Sequence, residues 1–139
     1  MRNSSAARTI VHSGRQSMPL AYDNSTAPFY SEADRIFDEP QDWTAGGADS
    51  VRLFVRGDAA NAAQTLYVVL EDRAGQTAIV SHTDPDVVLA TEWQSWTILL
   101  TEFGQVNPAS IEKVTVGVGN RTNPTSGGTG SVAISTKAA

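Results

Sequence analysis

Few residues of this chain are equipped for chemistry, and they fall into three groups. In "SVRLFVRGD", residues 50–58, Arg52, Phe54 and Arg56 alternate with Val51, Leu53 and Val55. In "TLYVVLED", residues 65–72, Tyr67, Val69 and Glu71 alternate with Leu66, Val68 and Leu70. The third group is "GNRTNPTSGGTG", residues 119–130, which carries Asn120, Arg121 and Asn123, with Trp43 or Trp93 as a neighbouring ring. Rings give contact area at small entropy cost, and Arg, Asn and carboxylate groups make directed hydrogen bonds. Such a set suits a ligand with apolar C–H faces and many hydroxyls. Arg52, Phe54, Arg56, Tyr67 and Glu71 read as one mixed sheet face, with Arg35 on a neighbouring strand. Glu71 and an arginine would grip adjacent hydroxyls while Tyr67 stacks. The competing reading is a surface ladder of cross-strand ion pairs for the first two groups and a solvated loop for the third.

The enzymatic case is thin. There are two histidines and no cysteine, so thiolate metal sites, disulfides and cysteine nucleophiles are excluded. "SHTDPD", residues 81–86, sets His82 near Asp84 and Asp86 but reads more simply as a proline-containing turn. No H-E-x-x-H, phosphate-binding loop or G-x-S-x-G elbow occurs. Glycosidases need two carboxyl groups across the scissile bond, and spacing alone cannot pair Asp58, Glu71, Asp72 or Glu92. Tyr22, Asp23 and Asn24 form a weaker polar group, in which Tyr22 shares parity with Met18 and Leu20 and is expected in the core. The three Asn-x-Ser/Thr sequons, at Asn3, Asn24 and Asn120, are what chance supplies in a Ser/Thr-rich chain.

The elements that must position these groups are strands. The chain has 139 residues, enough for one domain with a real core. Only 18% of them are charged, against roughly 25% in average domains. The net charge is −5 without a basic stripe, which argues against nucleic acid as a partner. No apolar run approaches a membrane span. The first sixteen residues lack the apolar stretch of a secretory signal, so an export signal is expected to lie elsewhere or to have been removed. Period-two alternation and turn residues predict strands at 8–12, 16–22, 31–38, 50–57, 65–72, 76–82, 94–101, 111–119 and 131–136. "DRAGQ" reads as a hairpin turn with Gly75 at positive φ. The domain is expected over 8–136, with a flexible 1–7 and a short tail at 137–139.

"LATEWQSWTILLTEF", residues 89–103, is the ambiguous segment. A helix would stripe Trp93, Trp96, Leu100 and Phe103. The β-branched Thr97 and Ile98 and the strand-like neighbours favour a strand, which sends the two indoles to opposite faces. Trp96, Ile98 and Leu100 then face the core. Trp93 is left as a corner plug or a stacking platform. Phe37 is expected in the core, while Trp43 has no preferred side.

From about residue 8 to 134 the chain resembles a carbohydrate-binding-module-like domain, a galactose-binding-like β-jelly roll. The resemblance rests on "TIVHSGRQSMPLAYDN", "YSEADRIFDEPQDWT", "SVRLFVRGD", "LYVVLED", "TEWQSWTILLTEF", "IEKVTVGVGN" and "GGTGSVAIS". It implies an all-β sandwich of two antiparallel sheets, attached to a secreted or cell-surface glycan-active protein and binding a poly- or oligosaccharide without catalysis. The candidate contact residues, read from the mixed face, the loop and the outward indole rather than from the resemblance, are Arg52, Arg56, Tyr67, Glu71, Trp93, Asn120 and Arg121. Relatives usually begin with a further strand and acidic loop and close on "iyIDDI"; this chain closes on "SVAISTKAA". The chain ends that help hold a structural calcium in such domains are therefore unsupported, and no cofactor is expected. An uncovered sheet edge would favour self-association. The alternatives are a structural or adhesive surface sandwich without a sugar site and, more remotely, a small glycan-cleaving enzyme.

Overall fold

The structure is a computed structural model that describes residues 18–121 and 126–138; the side chains of Met18 and of residues 135–138 are not described. The expected strand at 8–12 and Asn123 lie outside the described residues. Among the described residues eight strands follow one another: β1 Met18–Asp23, β2 Tyr30–Gln41, β3 Ser50–Arg56, β4 Leu66–Asp72, β5 Thr77–Ser81, β6 Gln94–Leu99, β7 Ile111–Gly119 and β8 Thr129–Ala138. They form two antiparallel four-stranded sheets, ordered β1-β8-β3-β6 and β2-β7-β4-β5. Strands 1 and 8, 2 and 7, 3 and 6, and 4 and 5 are paired. That nested pairing is one long ribbon rolled into two layers, which is the jelly-roll topology. β8 runs to Ala138, two residues past the expected strand end at 136.

Alternation decides what is inside. Val51, Leu53 and Val55 of β3, Val132 and Ile134 of β8, and Ile98 of β6 are buried from one sheet. Leu66, Val68 and Leu70 of β4 and Val114, Val116 and Val118 of β7 meet them from the other. Each such side chain stabilises the fold by about 1.5–3 kcal/mol relative to leaving it in water. Two short 3-10 turns close the ends. Pro85–Leu89 buries Val87 and Val88, and Leu100–Phe103 buries Leu100 and Phe103.

The segment at 89–103 resolves as strand plus turn. β6 pairs with β3 so that Trp96 lies opposite Leu53 and Ile98 opposite Val51. Ile98 is fully buried, Leu99 is exposed, and Leu100 turns into the 3-10 plug. Trp96 packs half-buried against the core, while Trp93, just before the strand, is 38% exposed. Tyr22 is buried, its hydroxyl donating to the Ala62 carbonyl at 2.6 Å. Trp43 is also buried, and Phe37 packs against the core.

Turns are locked by side chains with no periodic signature. Asp72 is buried at the β4–β5 turn. Its carboxylate accepts from the Ala74 and Gln76 N–H groups at 2.9 and 3.0 Å and from Asn107 N–H at 2.8 Å. These bonds, the Asn107 one foremost, hold its pKa below the usual range against the opposing effect of burial. Gly75 takes φ 87° in the same turn, as expected.

Candidate functional site

β3 and β4 are consecutive in the chain but belong to different sheets. The set read as one mixed face is therefore divided between opposite sides of the sandwich. Arg52, Phe54 and Arg56 stand on the outer side of the β1-β8-β3-β6 sheet. Tyr67 and Glu71 stand on the outer side of the β2-β7-β4-β5 sheet. Arg35 joins neither, because it shares parity with Ala33 and Phe37 and lies half-buried with its guanidinium 5.4 Å from the Phe37 ring. Alternation tells inside from outside along one strand; it does not say which sheet the next strand joins.

On the β2-β7-β4-β5 sheet, an outer row runs Glu32, Gly117, Tyr67 and Ser81 across four neighbouring strands. β2 and β4 are two strand spacings apart, about 9.5 Å. Tyr67 crosses that gap. Its hydroxyl donates to Glu32 Oε2 at 2.6 Å. Gly117 makes the crossing possible, since a Cβ there would lie 2.3 Å from Tyr67 Cζ. The ring is consequently only 1% exposed, and a stacking role for it, as expected from sequence, does not survive. Burial, together with the bond to the Glu32 carboxylate and its charge, pushes the phenol well above its ordinary pKa, so it stays a donor.

Arg121 Nε lies 3.3 Å from the same Glu32 Oε2 and forms an ion pair with it. Both of these contacts fall on Oε2. Beside this pair opens a cleft of about 310 Å³, bordered by Tyr67, Ser81, His82, Asn120 and Arg121 among others. Tyr30, on the same side of β2 as Glu32, is half-buried at its end. His82 contacts Trp96 edge-on at 4.8 Å between centroids. Burial lowers the His82 pKa, and the Asp84 carboxylate opposes that shift. The sequence pointed to Tyr67, Asn120 and Arg121 here and missed Glu32. Glu32 carries no local signal beyond its alternation with Ala33 in "SEADR". Glu71 lies further along the face, opposite Lys113, and does not border the cleft.

A second, more open cleft of about 400 Å³ lies on the outer side of the other sheet. It is bordered by Pro19, Arg56, Asp58, Trp93, Ser131 and Ala133 among others. Arg56 and Trp93 were expected as contact residues and do come together; Arg52 is not among the residues bordering it. Trp93 is 38% exposed. Asn24, by contrast, is structural and fully buried. It donates to Gln64 Oε1 and the Val118 carbonyl and accepts from Ser31 Oγ.

Among the described residues no group of three or more His, Asp or Glu side chains is placed to hold a metal ion, and no helix is long and apolar enough to cross a membrane.

No family model and no curated protein matches the chain. Solved structures do. The chain is similar to part of an exo-β-agarase, with 12% identity and a TM-score of 0.65. That match covers 95% of this chain and 21% of the agarase, so the chain spans about a fifth of that protein. It is similar to a family 30 carbohydrate-binding module, with 10% identity and TM-score 0.57, covering 94% of this chain and 80% of the module. It is also similar to the family 11 carbohydrate-binding module of a cellulosomal cellulase of Clostridium thermocellum, with 12% identity and TM-score 0.55 over 90% and 75% of the two chains. What these proteins share at such identities is architecture: the chain has the two-sheet β-sandwich fold of carbohydrate-binding modules.

Proposed function

We propose that this chain is a non-catalytic carbohydrate-binding domain whose contact surface is the cleft beside Glu32, Asn120 and Arg121. The observation that carries the reading is the carboxylate–guanidinium pair at the edge of that cleft. Tyr67 and Arg121 both hold one carboxylate oxygen, and the other serves as an acceptor for a sugar hydroxyl. The remaining guanidinium nitrogens are donors for its neighbour. Carboxylate and guanidinium groups make the stronger, charge-assisted class of hydrogen bond. A carboxylate fixed before binding loses little freedom when the ligand arrives.

The same geometry disfavours hydrolysis. A glycosidase sets two carboxyl groups about 5–10 Å apart around the bond it cleaves. Among the described residues no carboxyl group borders this cleft, and Glu32, beside it, is already engaged by Tyr67 and Arg121. The domain-sized match to an agarase favours an accessory role in a larger secreted or cell-surface protein. A tethered domain of this kind raises the effective concentration of its partner at a polymer without performing chemistry.

The test is affinity electrophoresis of the full chain in gels containing agarose, mixed-linkage β-glucan or soluble cellulose derivatives. Retardation of wild type by at least one polymer, weakened tenfold or more in Arg121→Ala and in Glu32→Gln, is the expected result. Migration unaffected by every polymer sinks the reading.

A further inference from the structure

The cleft at Trp93 lies on the far side of the sandwich from Glu32, and it has the parts the Glu32 cleft lacks. Its indole is 38% exposed, whereas the Tyr67 ring is sealed. Beside the indole are a guanidinium from Arg56, a carboxylate from Asp58 and the apolar surface of Pro19 and Ala133. Asp58 Oδ1 accepts the Ala60 N–H at 2.9 Å. An indole face, a carboxylate and a guanidinium are complementary to a pyranose ring, with C–H bonds on its face and hydroxyls at its rim.

The walls are also built. The 57–62 loop, the 88–90 segment that leads to Trp93, and β8 are three separate pieces of chain. Gly57 N–H bonds to the Ala90 carbonyl at 2.6 Å and Asp58 N–H to the Val88 carbonyl at 3.2 Å. Gly57 has no room for a side chain, since a Cβ would lie 1.8 Å from the Val88 oxygen. Asn61 then joins all three. Its Nδ2 donates to the Val88 and Ser131 carbonyls at 2.7 and 2.8 Å, and its Oδ1 accepts the Ser131 N–H at 3.0 Å. Asp58 and Trp93 therefore flank the cleft before any ligand arrives.

We infer that the Trp93 cleft is a second saccharide site, acting independently of the first, so that one domain holds two glycan strands on opposite faces. The bivalent form of this inference rests on the Glu32 cleft being the first site. Trp93 is the stacking platform, and Asp58 and Arg56 bind hydroxyls. Asn61 positions them.

Calorimetry with a soluble oligosaccharide cut from the retaining polymer tests this, alongside light scattering of the intact soluble polymer. Wild type is expected to take two equivalents and to cross-link the polymer. Trp93→Ala and Arg121→Ala each take one and do not cross-link; the double variant takes none. Asp58→Asn repeats the Trp93 arm with a smaller change, and thermal melts verify that each variant is folded. Two equivalents in Trp93→Ala overturn the inference, as does a single wild-type equivalent that survives Trp93→Ala; both leave the first reading standing. A single equivalent lost in Trp93→Ala and kept in Arg121→Ala overturns the first reading, and bivalence with it.

Discussion

The two outer faces of the sandwich use their aromatic rings in opposite ways. On the β2-β7-β4-β5 side, Tyr67 lies flat over Gly117 and spends its hydroxyl on Glu32, so the ring is scaffold and the carboxylate is presented. On the β1-β8-β3-β6 side, Trp93 sits at the head of a strand and is itself presented, while an amide, Asn61, is the scaffold. The first face is braced across neighbouring strands of one sheet. The second is braced between a loop, a turn and a strand, joined by a few backbone bonds and by the Asn61 side chain, which reaches both partners. A ring's burial therefore decides whether it is open to a ligand or serves only to hold its neighbours, and residue type alone does not reveal it.

The largest expected effect is at the second brace. Asn61→Ala removes three hydrogen bonds and leaves the Val88 and Ser131 backbone groups to find water. We expect a stability loss of about 3 kcal/mol, from about 1 kcal/mol for each bond. Thermal and urea melts measure it. Ligand titrations should show the Trp93 cleft lost and the Glu32 cleft intact; equal loss at both would mean the faces are not separately braced.

Gly117→Ala attacks the other brace from beneath. The new Cβ displaces the Tyr67 ring and breaks its bond to Glu32, at a cost of about 2 kcal/mol given that bonds to charged groups are worth roughly 1.5–3. Sugar retention dependent on Arg121 should fall with it, whereas Trp93 fluorescence changes on ligand addition should persist. Tyr67→Phe is the milder form of the same experiment. The ring stays and only the hydroxyl goes, and Glu32 keeps Arg121 and water, so about 1 kcal/mol is expected. If Tyr67→Phe weakens binding while leaving the melt nearly unchanged, the hydroxyl acts by aiming the carboxylate.

Much of the sandwich was legible because a two-residue period survives in the sequence wherever one side of a strand is buried. Val51, Leu53 and Val55 against Arg52, Phe54 and Arg56 is such a case, and so is Trp96 against Trp93. The site was less legible for two physical reasons. Sheet membership is a property of the crossover between strands, and the nine residues 57–65 between β3 and β4 carry no periodic mark of it; Arg52 and Tyr67 were thus placed together and are on opposite sides. The braces are single polar residues in loops and turns: Asn24, Asn61 and Asp72 each satisfy backbone groups far away in sequence, and nothing local distinguishes them from solvated loop residues. Glu32 was missed for a related reason, since its importance comes from Tyr67 reaching it across a strand 85 residues later in the chain.

The smallest expected effect tests whether the faces communicate. His82 borders the Glu32 cleft, yet its ring packs edge-on against Trp96 of the opposite sheet. Burial holds its pKa below the ordinary value near 6.5, with Asp84 pulling the other way. The unfolded chain therefore binds the proton first as pH falls. The stability this group contributes is complete above pH 6.5 and is lost as pH drops through the folded-state value. Between pH 7 and 5 the melting temperature of wild type should decline slightly more than that of His82→Phe, which keeps a ring against Trp96 and cannot charge. Across the same interval the Arg121-dependent sugar affinity should weaken, because a cation appears at the cleft beside a guanidinium. The Trp93-dependent affinity should hold steady. Parallel loss at both clefts would show that the His82–Trp96 contact transmits the charge through the core, and the two faces would then be one coupled surface.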